Sequence, residues 1–174
     1  MNPFLARAIG VSPEEAGALT APPPLQPHAR PIVNVALLDP FIGKWRLKGR
    51  NGPAAPLGPE SEVTGEVIYD HLPGGYFVVG RWSRHFKEGN HIGLGVYGPD
   101  NGGEGFAAHF YDNLGFERRY VLVRDGRRWV FTGERERAEI DFSIDGNHFT
   151  EKWETSPDGV EWALLWELKG IREK

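Results

Sequence analysis

Short turn sequences recur along this chain after residue 50, and they constrain the fold more than any other feature. Several pair aspartate with glycine, as in Asp125-Gly126, Asp145-Gly146 and Asp158-Gly159. Asp-Gly favours tight hairpin turns, because both positions tolerate a positive φ. Many short strands separated by turns roughly every 8–12 residues are typical of a β-sandwich or barrel. The intervals predict about ten strands: 43–49, 62–70, 75–84, 91–98, 105–112, 116–124, 127–133, 136–144, 147–155 and 160–170.

The connections between these strands are short, which favours an up-and-down antiparallel meander. A meander closes best as a barrel, because closure leaves no strand with an unpaired edge. We therefore predict an all-β fold: a single up-and-down antiparallel β-barrel of about ten strands over residues 32–174.

Residues 1–31 differ from the rest of the chain and form a predicted N-terminal arm. Ser12-Pro13-Glu14-Glu15 is a helix start, with serine as N-cap and proline in the first turn. A Pro-rich linker follows from Ala21 to Pro31. The arm is either a solvated tail or a segment that docks on the barrel or on a neighbouring subunit. Its apolar residues favour docking: Phe4, Leu5 and Ile9. Docking on a neighbouring subunit would form a homodimer through the arm.

Composition narrows the function classes. The net charge is −4, so no basic field would gather nucleic acid. Cysteine is absent, which excludes disulfides and thiolate metal sites. We find no secretory leader and no apolar run long enough to span a membrane, and we expect a cytoplasmic protein. The six tryptophans suit the wall of an apolar ligand cavity.

Gly43-x-Trp45 on the first strand resembles the calycins, the superfamily of lipocalins, fatty-acid-binding proteins and nitrobindins. The resemblance implies that Trp45 plugs one end of the barrel. It also implies a basic residue of the last strand over that indole, a role open to Lys169 or Arg172.

Three longer motifs are similar to those of a bacterial family of calycin-like barrels whose activity is not assigned. The similarity covers roughly residues 37–172 and implies the fold without an activity. The motifs are Leu72-Pro73-Gly74-Gly75, His109-Phe110-Tyr111-Asp112, and Trp153-Glu154-x-Ser156-x-Asp158-Gly159-x-x-Trp162.

Polar side chains on neighbouring strands form a candidate site. His109 and Tyr111 share one strand face, because side chains alternate along a strand. Arg118 and Tyr120 share a face of the next strand. Pointing inward, these groups would orient a carboxylate or an enol. The alternative is that the tyrosines only line the wall and that His109 is a hydrogen-bonded interior histidine.

The ninth predicted strand places Glu151 on the same face as Trp153. A buried glutamate needs a partner, and we expect Arg81 or Arg118 to supply it, as a ligand clamp or as a structural pair. The face of the last strand formed by Trp162, Leu164, Trp166 and Leu168 belongs inside. The predicted ligand-binding set is Arg81, His109, Tyr111, Arg118, Tyr120, Phe131, Glu151, Trp153, Trp162 and Trp166.

We therefore predict a protein that binds a small hydrophobic or aromatic ligand in the barrel cavity. The alternative is an isomerase, cyclase or decarboxylase with His109, Tyr111 or Glu151 as catalytic candidates. A second alternative is a haem-binding, nitrobindin-like protein, for which His148 is the late-strand candidate ligand. No histidine spacing predicts a metal site, and apart from haem we expect no cofactor.

Overall fold

A computed structural model of the protein describes residues 34–100 and 105–174. The predicted arm over residues 1–31, and the dimer contact assigned to it, lie outside the described residues and stay predictions. No helix among the described residues is long and apolar enough to cross a membrane.

Ten antiparallel strands close into a barrel, as predicted. Each strand pairs with its neighbours in the chain, and β1 pairs with β10 to complete the ring. A 3₁₀ helix over Val35–Phe41 precedes the first strand. The strands are β1 (Gly43–Asn51), β2 (Glu62–His71), β3 (Val78–Phe86), β4 (Gly89–Pro99), β5 (Phe106–Asp112), β6 (Glu117–Asp125), β7 (Arg128–Thr132), β8 (Glu136–Phe142), β9 (His148–Thr155) and β10 (Ala163–Arg172).

The bounds agree with the predicted strands to within a few residues. The third strand begins at Val78 rather than at residue 75, because Gly74 and Gly75 have φ angles of 101° and 75° and form the turn. Such angles lie in the left-handed region that favours glycine. The Pro-Gly-Gly segment is therefore a turn that ends before the strand begins.

The 3₁₀ helix closes one end of the barrel, called the closed end below. Its Leu38 and Phe41 side chains are buried. The Phe41 ring lies 4.9 Å from Phe142 and 5.5 Å from Trp129, both across the interior. The indole N–H of Trp45 donates to the Phe41 carbonyl at 2.7 Å. These aromatic contacts pack this end of the barrel.

Arg172 of β10 covers Trp45, as the calycin resemblance implies. Its guanidinium lies 4.1 Å from the centre of the indole ring. It also donates to the carbonyl oxygens of Pro40, Ile42 and Gly146, and so ties the helix and a hairpin turn to the last strand. Lys169, the other candidate, is exposed.

A bulge in β10 corrects the predicted inner face of that strand. The register shifts between Leu164 and Trp166, so that Leu165 and Trp166 are both buried. Trp162 comes before the strand and lies half-buried under the Arg137 guanidinium, at 4.2 Å. A bulge places two consecutive residues opposite one, which interrupts the alternation on which the prediction depended.

Candidate functional site

The end of the barrel opposite the 3₁₀ helix, called the open end below, contains a small internal chamber. Its volume is about 40 Å³. Its walls come from the ends of β3, β4, β5, β6, β8, β9 and β10, together with two loops. The lining residues are Pro56, Trp82, Arg84, His91, Phe110, Asp112, Leu114, Arg118, Tyr120, Glu136, Trp153, Leu165 and Trp166.

Aromatic rings fill the barrel directly below this chamber. Phe110 lies 5.1 Å from Trp82 and 5.8 Å from Trp153, measured between ring centres. Glycines on β4 make room for these rings: a Cβ at Gly93 would lie 2.4 Å from the Trp82 ring, and one at Gly95 would lie 2.6 Å from Phe110. The barrel directly below the chamber is therefore tightly packed.

A buried ion pair joins Arg84 of the chamber wall to a strand that is not its neighbour in the barrel. Arg84 of β3 donates to Glu151 of β9 at 3.1 Å, and neither side chain is more than 7% exposed. The Arg84 guanidinium also lies over two indole rings, 5.4 Å from Trp82 and 5.2 Å from Trp166. The predicted arginine partner of Glu151 is therefore present, but it is Arg84 and neither Arg81 nor Arg118.

His91 of β4 and Asp112 of β5 form a second pair, and both line the chamber. The His91 Nε2 atom lies 3.2 Å from an Asp112 oxygen. Burial, and then the Arg84 guanidinium nearby, lower the pKa of His91 from 6.5 to about 4. Burial alone would raise the pKa of Asp112, but hydrogen bonds from Arg118, His91 and the Phe116 amide outweigh it and lower that pKa. At neutral pH the pair is a neutral imidazole beside a carboxylate.

This protonation state assigns the two ring nitrogens of His91. A carboxylate only accepts hydrogen bonds, so Nε2 must carry the proton and donate to Asp112. Nδ1 then carries a lone pair. This atom is buried and contacts no donor among the described residues. The imidazole is thus oriented by a carboxylate, with a free acceptor atom on its other side.

Arg118 continues the polar chain from Asp112 towards the mouth of the barrel. Its guanidinium donates to Asp112 at 2.6 Å and to Glu136 at 2.8 Å. The Tyr120 hydroxyl donates to the other oxygen of Glu136 at 2.5 Å. Burial, and then the Glu136 carboxylate, raise the pKa of Tyr120 well above its usual value. Five side chains therefore connect the chamber to the outside through hydrogen bonds.

Four buried N–H groups of the chamber have no hydrogen-bond partner in the part of the chain that the structure describes. They are Nε1 of Trp82, Trp153 and Trp166, and Nε of Arg84. Indole and guanidinium nitrogens only donate. Buried polar atoms in native proteins are nearly always paired, with protein or with water. The chamber therefore offers several donors to whatever occupies it.

A groove of about 550 Å³ lies at the mouth of the barrel, directly outside the chamber. The groove and the chamber share five lining residues: Pro56, Arg118, Tyr120, Glu136 and Leu165. Its outer walls are Ala54, Phe116, Glu117, Arg119, Gly133, Glu134, Arg135 and Thr155. The two spaces therefore adjoin, and we treat them as one candidate site.

Comparison with known proteins supports the fold. No family model matches the sequence, and no curated protein matches it either. Among solved structures, the chain is similar to the S-type phycobiliprotein lyase CPES from Guillardia theta, with a TM-score of 0.52 and 13% identity. The match covers 79% of this chain and 91% of that one. At this identity the similarity concerns the fold alone, a closed antiparallel β-barrel.

The structure turns six of the predicted site residues towards the interior of this barrel. Arg118 and Tyr120 face inward together, as do Glu151 and Trp153. Five of them line the chamber or pack in the aromatic layer below it: Arg118, Tyr120, Phe131, Trp153 and Trp166. The sixth, Glu151, is buried and paired with Arg84 of the chamber wall. Their role in binding stays a prediction, but their positions agree with it.

Three other predicted residues lie on the outer surface, so their expected position in the cavity is wrong. On β5 it is Phe110 and Asp112 that point inward, and His109 and Tyr111 therefore point outward. The Tyr111 side chain is exposed and lies 3.5 Å from Glu117. Arg81 is exposed beside Asp70. Trp162 lies outside the strand, as described above.

His148 does not fit an interior haem. Phe149 beside it points into the core, so His148 points outward at the start of β9. Its ring lies 3.9 Å from Asp145 and is partly exposed. His91 does face the interior, but its chamber of about 40 Å³ is far smaller than a porphyrin. These residues therefore give the haem alternative no support.

Sequence reasoning missed the polar centre of the site: Arg84, His91, Asp112 and Glu136. One signal was available on β3, where Trp82, Arg84 and Phe86 alternate with polar residues and so share a buried face. Arg84 between two aromatics is therefore a predictable interior arginine. His91 follows a turn, and nothing in its immediate sequence distinguishes it from the exposed His85.

Proposed function

We propose that this protein binds a small hydrophobic or aromatic molecule at the open end of the barrel. The supporting observation is that the groove adjoins the aromatic chamber and shares five lining residues with it. A volume of about 550 Å³ lies within the usual range of small-molecule sites. The bulk of the guest lies in the groove and only its tip enters the chamber, because aromatic side chains fill the barrel below.

The neighbouring structure supports this proposal through its architecture. A barrel of similar fold serves a protein named as a phycobiliprotein lyase. At 13% identity this likeness concerns the fold. The chemistry of the guest therefore has to be inferred from the side chains of this chain.

The test is a fluorescence titration with N-phenyl-1-naphthylamine, a neutral dye that emits strongly in apolar sites. We expect saturable binding to one site. Thr155→Trp places a large ring in the groove, since Thr155 is half-buried in its wall. This change should weaken binding by at least about tenfold.

Thr150→Trp is the matched control, because Thr150 is on the same strand but faces solvent. This variant should bind the dye as the unchanged protein does. A titration without saturation would overturn the proposal, and so would an equal loss of affinity in both variants.

A proton-transfer enzyme is the second candidate function, and the His91–Asp112 pair is the observation that favours it. A neutral imidazole with a free lone pair, oriented by a carboxylate, is the arrangement of a general base. The reaction classes are those expected from the sequence: isomerisation, cyclisation or decarboxylation. His91 replaces the outward-facing His109 and Tyr111 as the candidate base.

The probe for this activity is 2-tetralone, a bicyclic ketone with acidic C–H bonds next to its carbonyl. In heavy water, NMR should show that the protein accelerates exchange of these hydrogens for deuterium. His91→Phe should abolish the acceleration. Exchange at the buffer rate in the presence of the unchanged protein would remove this candidate.

A further inference from the structure

We propose that the chamber binds the polar end of the guest, and that this end is uncharged, with a carbonyl-type oxygen next to an N–H or O–H group. This inference rests on the proposed function, because it names the ligand class of the same site. It follows from four observations: the unpartnered donors, the free lone pair, the balance of charges and the size of the chamber.

The unpartnered donors require an acceptor. The indole N–H groups of Trp82, Trp153 and Trp166 and the Arg84 Nε–H are all buried without a partner among the described residues. A purely apolar guest would leave every one of them unpaired, which is a costly arrangement. An oxygen with two lone pairs accepts from two of these groups at once.

The lone pair of His91 requires a donor in the same place. The His91 ring centre lies 5.7 Å from the rings of both Trp82 and Trp166. Among the described residues, this unpartnered acceptor thus lies on a ring next to the rings that carry two of the unpartnered donors. A guest that satisfies both kinds of atom carries its own donor and acceptor side by side, as a lactam or an enol does.

The charges around the chamber disfavour an anionic end. The two guanidinium groups are already paired, Arg84 with Glu151 and Arg118 with Asp112 and Glu136. Three carboxylates thus face two guanidinium groups. An added anion would be desolvated beside carboxylates that already have their cations. A cation would satisfy none of the free N–H groups, so a neutral group fits best.

The size of the chamber limits how much of the guest enters it. One buried water needs roughly 10–15 Å³ of such space. The chamber of about 40 Å³ therefore holds a carbonyl and its neighbouring N–H or O–H, or a few waters. The remaining rings of the guest lie in the groove.

Three matched bicyclic probes test the inference by calorimetry at neutral pH. Quinolin-2(1H)-one presents a carbonyl beside an N–H. In 1-methylquinolin-2-one the N–H is replaced by a methyl group, and quinoline-2-carboxylate is an anion. We expect the first to bind at least about tenfold more tightly than either of the others.

His91→Phe removes the lone pair and should abolish the preference for the N–H form over its methyl derivative. If this variant does not fold, Trp166→Phe keeps an aromatic ring, removes one donor, and should weaken binding of quinolin-2(1H)-one. Retention of full affinity and preference in the folded variant overturns the inference.

The outcomes separate this inference from the proposed function. If N-phenyl-1-naphthylamine binds in the groove but the three quinoline probes bind equally, or the carboxylate binds best, the inference about the polar end is wrong and the binding site stands. In that case the chamber holds water only. If neither the dye nor any quinoline probe binds, both proposals are wrong.

Discussion

One imidazole in the chamber is held in its neutral form, and this state has a consequence for stability in acid. The pKa of His91 falls from 6.5 in an unfolded chain to about 4 in the folded protein. Between these values the unfolded chain binds a proton that the folded chain does not. The contribution of His91 is therefore fully present above pH 6.5 and is lost as the pH falls to 4. Its size is about 3 kcal/mol at most.

Urea unfolding at a series of pH values measures this contribution. His91→Gln should flatten the pH dependence in that window, while His85→Gln, at an exposed position on the same hairpin, should leave it as it is. If the free energy of unfolding changes equally with pH in the unchanged protein and in His91→Gln, another group causes the loss of stability in acid.

The buried pair of Glu151 and Arg84 shows which part of the site can be predicted from sequence and which cannot. The burial of Glu151 follows from its alternation with Trp153, and the need for an arginine follows from the cost of burying a charge. The identity of that arginine does not follow. Arg84 lies 67 positions away, on a strand that is not a neighbour of β9 in the barrel. Only the closed ring brings the two side chains together.

At the scale of elements, the 3₁₀ helix acts as the plug of the closed end. Phe41→Ala would remove a fully buried ring that contacts several other aromatics, and should cost about 3–5 kcal/mol of unfolding free energy. Leu37→Ala, at a partly exposed position of the same helix, should cost much less. Chemical denaturation of the two variants measures the difference. Equal losses would show that the ring does not act as a plug.

Strand faces were the weakest part of the sequence-based prediction. On β5 each face carries an aromatic residue and a polar one: Tyr111 with His109, and Phe110 with Asp112. Periodicity establishes which residues share a face but not which face is inside. In β10 the bulge at Leu165 interrupts the periodicity itself. Both errors follow from register, which depends on contacts between strands.

At the scale of the whole molecule, the fold was predictable because its turns are local. Asp-Gly and similar pairs specify where each hairpin reverses, and all ten strands were located from them. The candidate site is not local. It combines the ends of seven strands and two loops at one end of the barrel. The packing of the closed end can be predicted from local motifs such as Gly43-x-Trp45. The polar site at the open end cannot, because its residues meet only when the barrel closes.

The aromatic wall also gives this site optical properties. The rings of Trp153 and Trp166 are 6.0 Å apart, and the Arg84 guanidinium lies within 5.4 Å of both Trp166 and Trp82. Indoles this close share their electronic excitation, so that circular dichroism in the near ultraviolet and tryptophan emission depend on their mutual geometry. A guest that enters between these rings changes both signals. Binding of a guest in the chamber can therefore be followed by the circular dichroism and emission of these tryptophans, without an added label.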